Sequence, residues 1–165
     1  MPMTMDKLFL DTLKDVYYAE RQVLKALTKQ ARAAQHPELK QAFTLHKEQT
    51  QGQVERLQQV FEALGKRAQG VTCEAMNGIL EEASELIEEE PEPGPVRDAG
   101  LLAAAQCVEH YEIARYGTLI AWAQAAGKAE IVELLDQNLA EEKQTDELLT
   151  RLAESILNPE AAKRG

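Results

Sequence analysis

Aromatic residues make up only 5% of this 165-residue chain, and it carries just two cysteines. No stretch approaches the ~18 consecutive apolar residues of a membrane-spanning helix, so no membrane contact of that kind is expected. Cys73 and Cys107 lie far apart and form no Cys-x-x-Cys pair, which leaves them as structural or incidental thiols of a reducing cytoplasm. Basic residues are scarce relative to acidic ones, 18 against 28, giving a formal net charge of -10. Such a surface repels phosphate backbones, so nucleic acid is not an expected partner. No glycine-rich phosphate loop or flavin motif is present, so nothing supports a role as a small-ligand or cofactor carrier. The opening Met-Pro-Met-Thr-Met-Asp-Lys lacks the charged-then-apolar layout of a signal peptide, and a cytoplasmic location is expected.

What the chain does have is an apolar fraction of 44% and much Ala, Leu, Glu and Gln. That mixture favours helices over strands, and the length suits one domain with a real core. Helix starts and stops are legible. Thr4 is placed to cap a first helix over about 4–33, and Pro37 with Glu38 opens a second over 37–64, ended by Gly65. A shorter helix fits 73–90 and is broken by Pro91-Glu92-Pro93-Gly94-Pro95. Two more fit 96–126, ended by Gly127, and 128–157, ended by Asn158-Pro159. The reading is one all-α domain over 1–158 with a flexible tail at 159–165. Short loops make each long pair an antiparallel hairpin, and the long middle connection lets the hairpins stack as a four-helix bundle.

The inward faces follow from the ~100° turn per residue. On the first helix the apolar stripe of Leu13, Val16, Val23, Leu24 and Leu27 is interrupted by Glu20. On the second, Leu39, Phe43, Leu57, Val60 and Phe61 flank a polar middle of His46, Thr50 and Gln53, with Gln49 at its edge. On the helix over 96–126, Leu101, Ala105, Val108, Leu119 and Ile120 are interrupted by Glu109, Glu112 and Tyr116. On the last, Leu135, Leu139, Leu149 and Leu152 are interrupted by Glu142, flanked by Thr145 and Asp146. Glu20 and Thr50 lie about equally far from the first hairpin turn, as do Glu112 and Glu142 from the second. Equal distance from a turn means equal height in an antiparallel pair, so the interior polar residues are expected to meet in one layer.

Charge makes that layer informative. A buried carboxylate is costly unless it is paired, protonated or bound to metal. Lys14, Arg21, Lys25, Lys47 and Lys143 project to other faces by the same count, and only Arg115 stands at an edge of the layer. Two divalent cations would neutralise the cluster, and oxygen-rich sites between facing helices are where such ions bind. Taken singly the residues have plainer readings: a Glu bending to water, a hydrogen-bonded core His46, Tyr17 and Tyr116 as packing residues. The alternative for the whole layer is a vestigial polar site filled with water and partly protonated carboxylates.

Several stretches are similar to the YciE/YciF-type ferritin-like family of bacterial proteins. They are Asp-Val-Tyr-Tyr-Ala-Glu-Arg-Gln at 15–22, Leu-Lys-Gln-Ala-Phe at 39–43, Gln-Val-Glu-Arg-Leu at 53–57, Cys-Glu-Ala-Met at 73–76, Val-Glu-His-Tyr-Glu-Ile-Ala-Arg-Tyr-Gly-Thr-Leu at 108–119 and Leu-Ala-Glu-Glu-Lys-Gln-Thr-Asp at 139–146. The resemblance covers about 6–157 in order. It implies a ferritin-like bundle, a homodimer, a di-metal site and an association with stress responses, but no defined reaction or substrate. The general ferritin-like pattern of Glu-x-x-His on the second and fourth long helices is not met. The last helix has Glu142-x-x-Thr145, and the second offers His46-x-x-Gln49 inward and Glu48-x-x-Gln51 outward.

The expected site is therefore two divalent ions, iron or manganese, held by Glu20, Glu112 and Glu142, with Glu109 and Asp146 as further ligands or proton relays and His46 as ligand or support. Its chemistry would be Fe(II) oxidation or peroxide handling. The competing reading is a non-enzymatic dimeric interaction or structural module.

Overall fold

A computed structural model describes all 165 residues, and every regular element in it is helical. The elements are α1 (Met5–Ala33), α2 (Pro37–Ala63), α3 (Glu74–Glu89), α4 (Pro95–Ala125), α5 (Ala129–Leu152), a π-helical turn (Ala153–Leu157) and α6 (Asn158–Ala162). No helix is long and apolar enough to cross a membrane.

Local chemistry accounts for the boundaries. The Thr4 hydroxyl accepts the Lys7 amide at 3.2 Å and starts α1. His36 caps α2 through its ring nitrogen, which accepts the Glu38 amide at 3.1 Å, with Pro37 next to it in the first turn. Gly65 and Gly127 have φ of 65° and 69°, the left-handed conformation that lets the following amide fold back. Lys66 N–H reaches Phe61 O and Lys128 N–H reaches Ala123 O, both at 2.9 Å, so both helices end on carbonyls that are satisfied.

The end of the chain differs from expectation. The last helix does not stop at Asn158-Pro159, and residues 159–162 of the expected flexible tail are helical. A proline inside an α-helix lacks an N–H and presses on the carbonyl four residues back. Here the helix widens just before Pro159, with the Asn158 amide bonding five residues back to Ala153 O. The wider π turn gives the ring room and lets the helix continue.

α1 packs along α2 and α4 along α5, and the two antiparallel pairs meet through α2–α5 and α1–α4. α3 lies against α1 and α4, tied down where the Tyr18 hydroxyl donates to Asn77 Oδ1 at 2.9 Å. The start of α4 fixes the height of one pair against the other. Asp98 accepts the amides of Gln35 and His36, each at 2.8 Å, from the α1–α2 turn. Arg97, 5% exposed, donates to the carbonyls of Ala33, Glu90 and Pro91. Two apolar clusters result. One, of 18 buried residues, runs from Ala19 and Phe43 to Val108 and Leu149, and the other, of 13, from Tyr17 and Leu57 to Tyr116 and Leu135. Neither crosses the level between them.

Candidate metal centre

That intervening level holds the acidic residues. α1 supplies Glu20, α2 His46, α4 Glu109 and Glu112, and α5 Glu142. The four carboxylates are at most 1% exposed and His46 is 3% exposed. They form two triads, His46–Glu109–Glu142 and Glu20–Glu112–Glu142, in each of which the ligand atoms lie within 4.8 Å of one another. Ligands on opposite sides of an ion with bonds of ~2.1–2.5 Å stand ~4–5 Å apart, so each triad has the span of one cation. Glu142 belongs to both.

The layer is short of donors. His46 Nε2 comes within 2.6 Å of Glu109 Oε1, yet the approach is misaligned for a hydrogen bond and neither atom has a partner. Tyr116 donates to Glu20 Oε1 at 2.9 Å. Beyond that contact, nine of the eleven unpartnered buried side-chain nitrogen and oxygen atoms belong to these five residues. Of all the ion pairs in the molecule, only His46–Glu109 touches the layer. Arg115 turns away and stacks over the Tyr111 ring, 5.4 Å from its centre.

Burial drives the electrostatics. It pushes Glu20 up to about 8, assisted by the charge of Glu142 and opposed by the close approach of Glu112 and the hydrogen bond from Tyr116. Burial likewise pushes Glu109 up to about 8, opposed by its contact with Glu142 and assisted by the charges of Glu20 and Asp146. Glu112 and Glu142 are raised well above the ordinary range, again by burial first and then by their acidic neighbours. Without a cation, the layer therefore holds protons at neutral pH.

Five of the six residues expected at the site are brought together. Asp146 is not: it is part-exposed, accepts from Gln106 at 3.4 Å and lies 3.1 Å from His110 on the outer edge of α4 and α5. One turn along from Glu142, it has rotated past the interior. On α2, Glu48 and Gln51 face solvent, and Gln49 is engaged by the Thr145 hydroxyl at 3.2 Å. Only His46 represents α2 in the triads.

A family model described as a domain of unknown function, DUF892, matches residues 4–162. This chain belongs to that family. Protein YciF of Escherichia coli (strain K12) is 46% identical over 162 residues, covering 98% of this chain and 97% of its own. Among solved structures, the Escherichia coli stress protein YciF matches with a TM-score of 0.90 and 46% identity over 95% of this chain and 99% of that one. YcfI from Rhodopseudomonas palustris matches with a TM-score of 0.86 and 49% identity over 90% and 94%. A Xanthomonas campestris protein, 22% identical with a TM-score of 0.75 over 97% of each chain, shares the fold.

Within this DUF892 chain, sequence reasoning missed two residues beside the layer. Asn138 is fully buried and Arg56 bonds to it at 2.9 Å. Asn138 sits four positions before Glu142 on the same face of α5, a spacing that marks it as interior, whereas Leu139 of the expected stripe is only part-buried. Arg56 lies on the outer side of α2, and no periodicity reveals that its long side chain reaches back between two helices.

Proposed function

We propose that this chain is a ferritin-like four-helix bundle that binds two divalent cations, iron or manganese, at Glu20, His46, Glu109, Glu112 and Glu142, and serves a bacterial stress response as a homodimer. One observation carries the reading: carboxylates and an imidazole from four helices converge in two triads with almost no donors to satisfy them. Four carboxylates balance two divalent charges, and oxygen-rich sets suit manganese and iron. His46, Glu109 and Glu142 would hold one ion, Glu20, Glu112 and Glu142 the other, with Glu142 between them. Bound iron or manganese would supply one-electron redox chemistry, suited to Fe(II) oxidation or peroxide handling. The likeness to a stress protein of similar length supports the physiological context; the homodimer is carried by the family resemblance alone.

The test is elemental analysis of protein purified without chelator from cells grown with iron and manganese. About two equivalents are expected, with a melting temperature that rises on metal addition, and Glu20→Ala with Glu112→Ala should remove the one equivalent held by their own triad. A protein that takes up neither metal, in which Glu→Gln changes in the layer are neutral or stabilising, would instead be a structural module with an acidic relic. Light scattering at micromolar concentration should report twice the chain mass.

A further inference from the structure

A single file of hydrogen bonds leads from the protein surface to the metal triads, and its Arg56 end sets its direction. Arg56, part-exposed between α2 and α5, donates from Nη1 to Glu141 Oε1 at 2.6 Å and to Asn138 Oδ1 at 2.9 Å. A guanidinium only donates, so the oxygen of the Asn138 amide must face it. The amide nitrogen then points inward. Its two hydrogens go to Gln53 O and to the Tyr116 hydroxyl oxygen, both at 3.2 Å. With that oxygen receiving a proton donor, the Tyr116 hydroxyl spends its own hydrogen on Glu20 Oε1, at 2.9 Å. Asn138, Tyr116 and Glu20 are all fully buried, so water offers no alternative partners.

We propose that Arg56 and Asn138 are positioning residues for the metal site: they orient the Tyr116 hydroxyl as a fixed donor to Glu20 and thereby set how tightly the Glu20–Glu112–Glu142 triad holds its cation. This rests on the metal-binding reading above. With Oε1 committed to Tyr116, Glu20 offers Oε2, which has no partner, as its one free ligand oxygen. Tyr116 stays a phenol and does not itself ligate. Supporting residues of this kind orient ligands and tune metal affinity. The other triad has no such support, because His46 Nδ1 lacks a partner.

The experiment is Mn(II) titration, followed by loss of the free Mn(II) electron paramagnetic resonance signal, in wild type, Arg56→Met, Tyr116→Phe and the double variant. Arg56 is partly at the surface, so its variant should fold, which circular dichroism will check. Each single change should weaken one of the two bound equivalents by roughly tenfold, the size expected for a residue behind a ligand. The other equivalent should stay within measurement error. The decisive result is non-additivity: if Arg56 acts through Tyr116, adding Arg56→Met to Tyr116→Phe changes nothing further. Arg56→Lys, which can donate to Asn138 but not as a fork, should recover part of the loss. Additive losses, or equal weakening of both equivalents, would overturn the coupling while leaving the metal site standing. A wild-type protein that binds no Mn(II) overturns both.

Discussion

His46 Nε2 and Glu109 Oε1 face each other at 2.6 Å across the α2–α4 gap, with no hydrogen bond formed between them. Both are buried, and neither can turn to water. A nitrogen and a carboxylate oxygen held this way are complementary to a cation lying beside both. His46→Gln should therefore lower the bound metal to about one equivalent, since only its own triad loses a donor. Metal analysis after dialysis reads the outcome, and retention of both ions would show that the α2 side chain is a bystander.

Glu142 is common to both triads, whereas Glu20 belongs to one. Glu142→Gln should accordingly cost both equivalents, and Glu20→Gln one. Calorimetric titration with Mn(II) separates the two cases, and equal effects of the two substitutions would contradict a shared ligand.

Acidity gives a third expectation. Burial pushes Glu20 and Glu109 up to about 8 in the metal-free fold, from an ordinary 4.5. Between those values the folded state binds more protons than the unfolded one, so stability falls as pH rises, by up to about 1.4 kcal/mol per pH unit for each group. It is greatest below about pH 4.5 as far as these groups are concerned, and the loss is complete above about pH 8. Chemical denaturation of chelated protein at pH 6 and pH 8 should show the higher midpoint at pH 6. Mn(II) should reverse the order, because metal displaces the protons and binds more tightly at the higher pH.

Arg97 yields a prediction independent of metal. It serves three carbonyls, those of Ala33, Glu90 and Pro91, from a buried position. Arg97→Met strands all three, at a cost of roughly 3 kcal/mol and a fall in melting temperature of roughly 6–12 °C for a domain of this size. Differential scanning calorimetry with and without Mn(II) should give the same drop. A negligible drop would mean that water replaces the guanidinium freely.

The helices were legible because their ends carry strong local signals: Thr4, Pro37, Gly65 and Gly127 act on their immediate neighbours. The polar layer was legible for a related reason, since equal spacing from two tight turns converts sequence number into height. What stayed hidden depends on side-chain reach or on small angular offsets. Asp146 is a single turn beyond Glu142, yet that turn carries it from the interior to a partly open edge beside His110. Nothing in the local pattern marks Asp98, and only the fold shows that its partners are amides more than 60 residues away. The π turn before Pro159 was equally invisible, because proline signals a break and not the distortion that absorbs it.

The separation of the apolar interior into two clusters has a consequence for how the chain finds its alignment. If α1 slid along its neighbours by one turn, Glu20 would stand at the level of Val16 or Val23, among aliphatic side chains, while a valine would take its place among the acids. The same holds for Glu142 on α5. An uninterrupted greasy interior would tolerate such slippage, whereas an acidic stratum at mid-height penalises it on every helix at once. The feature that readies the molecule for cations also works as a ruler, admitting one vertical registration of the four long helices.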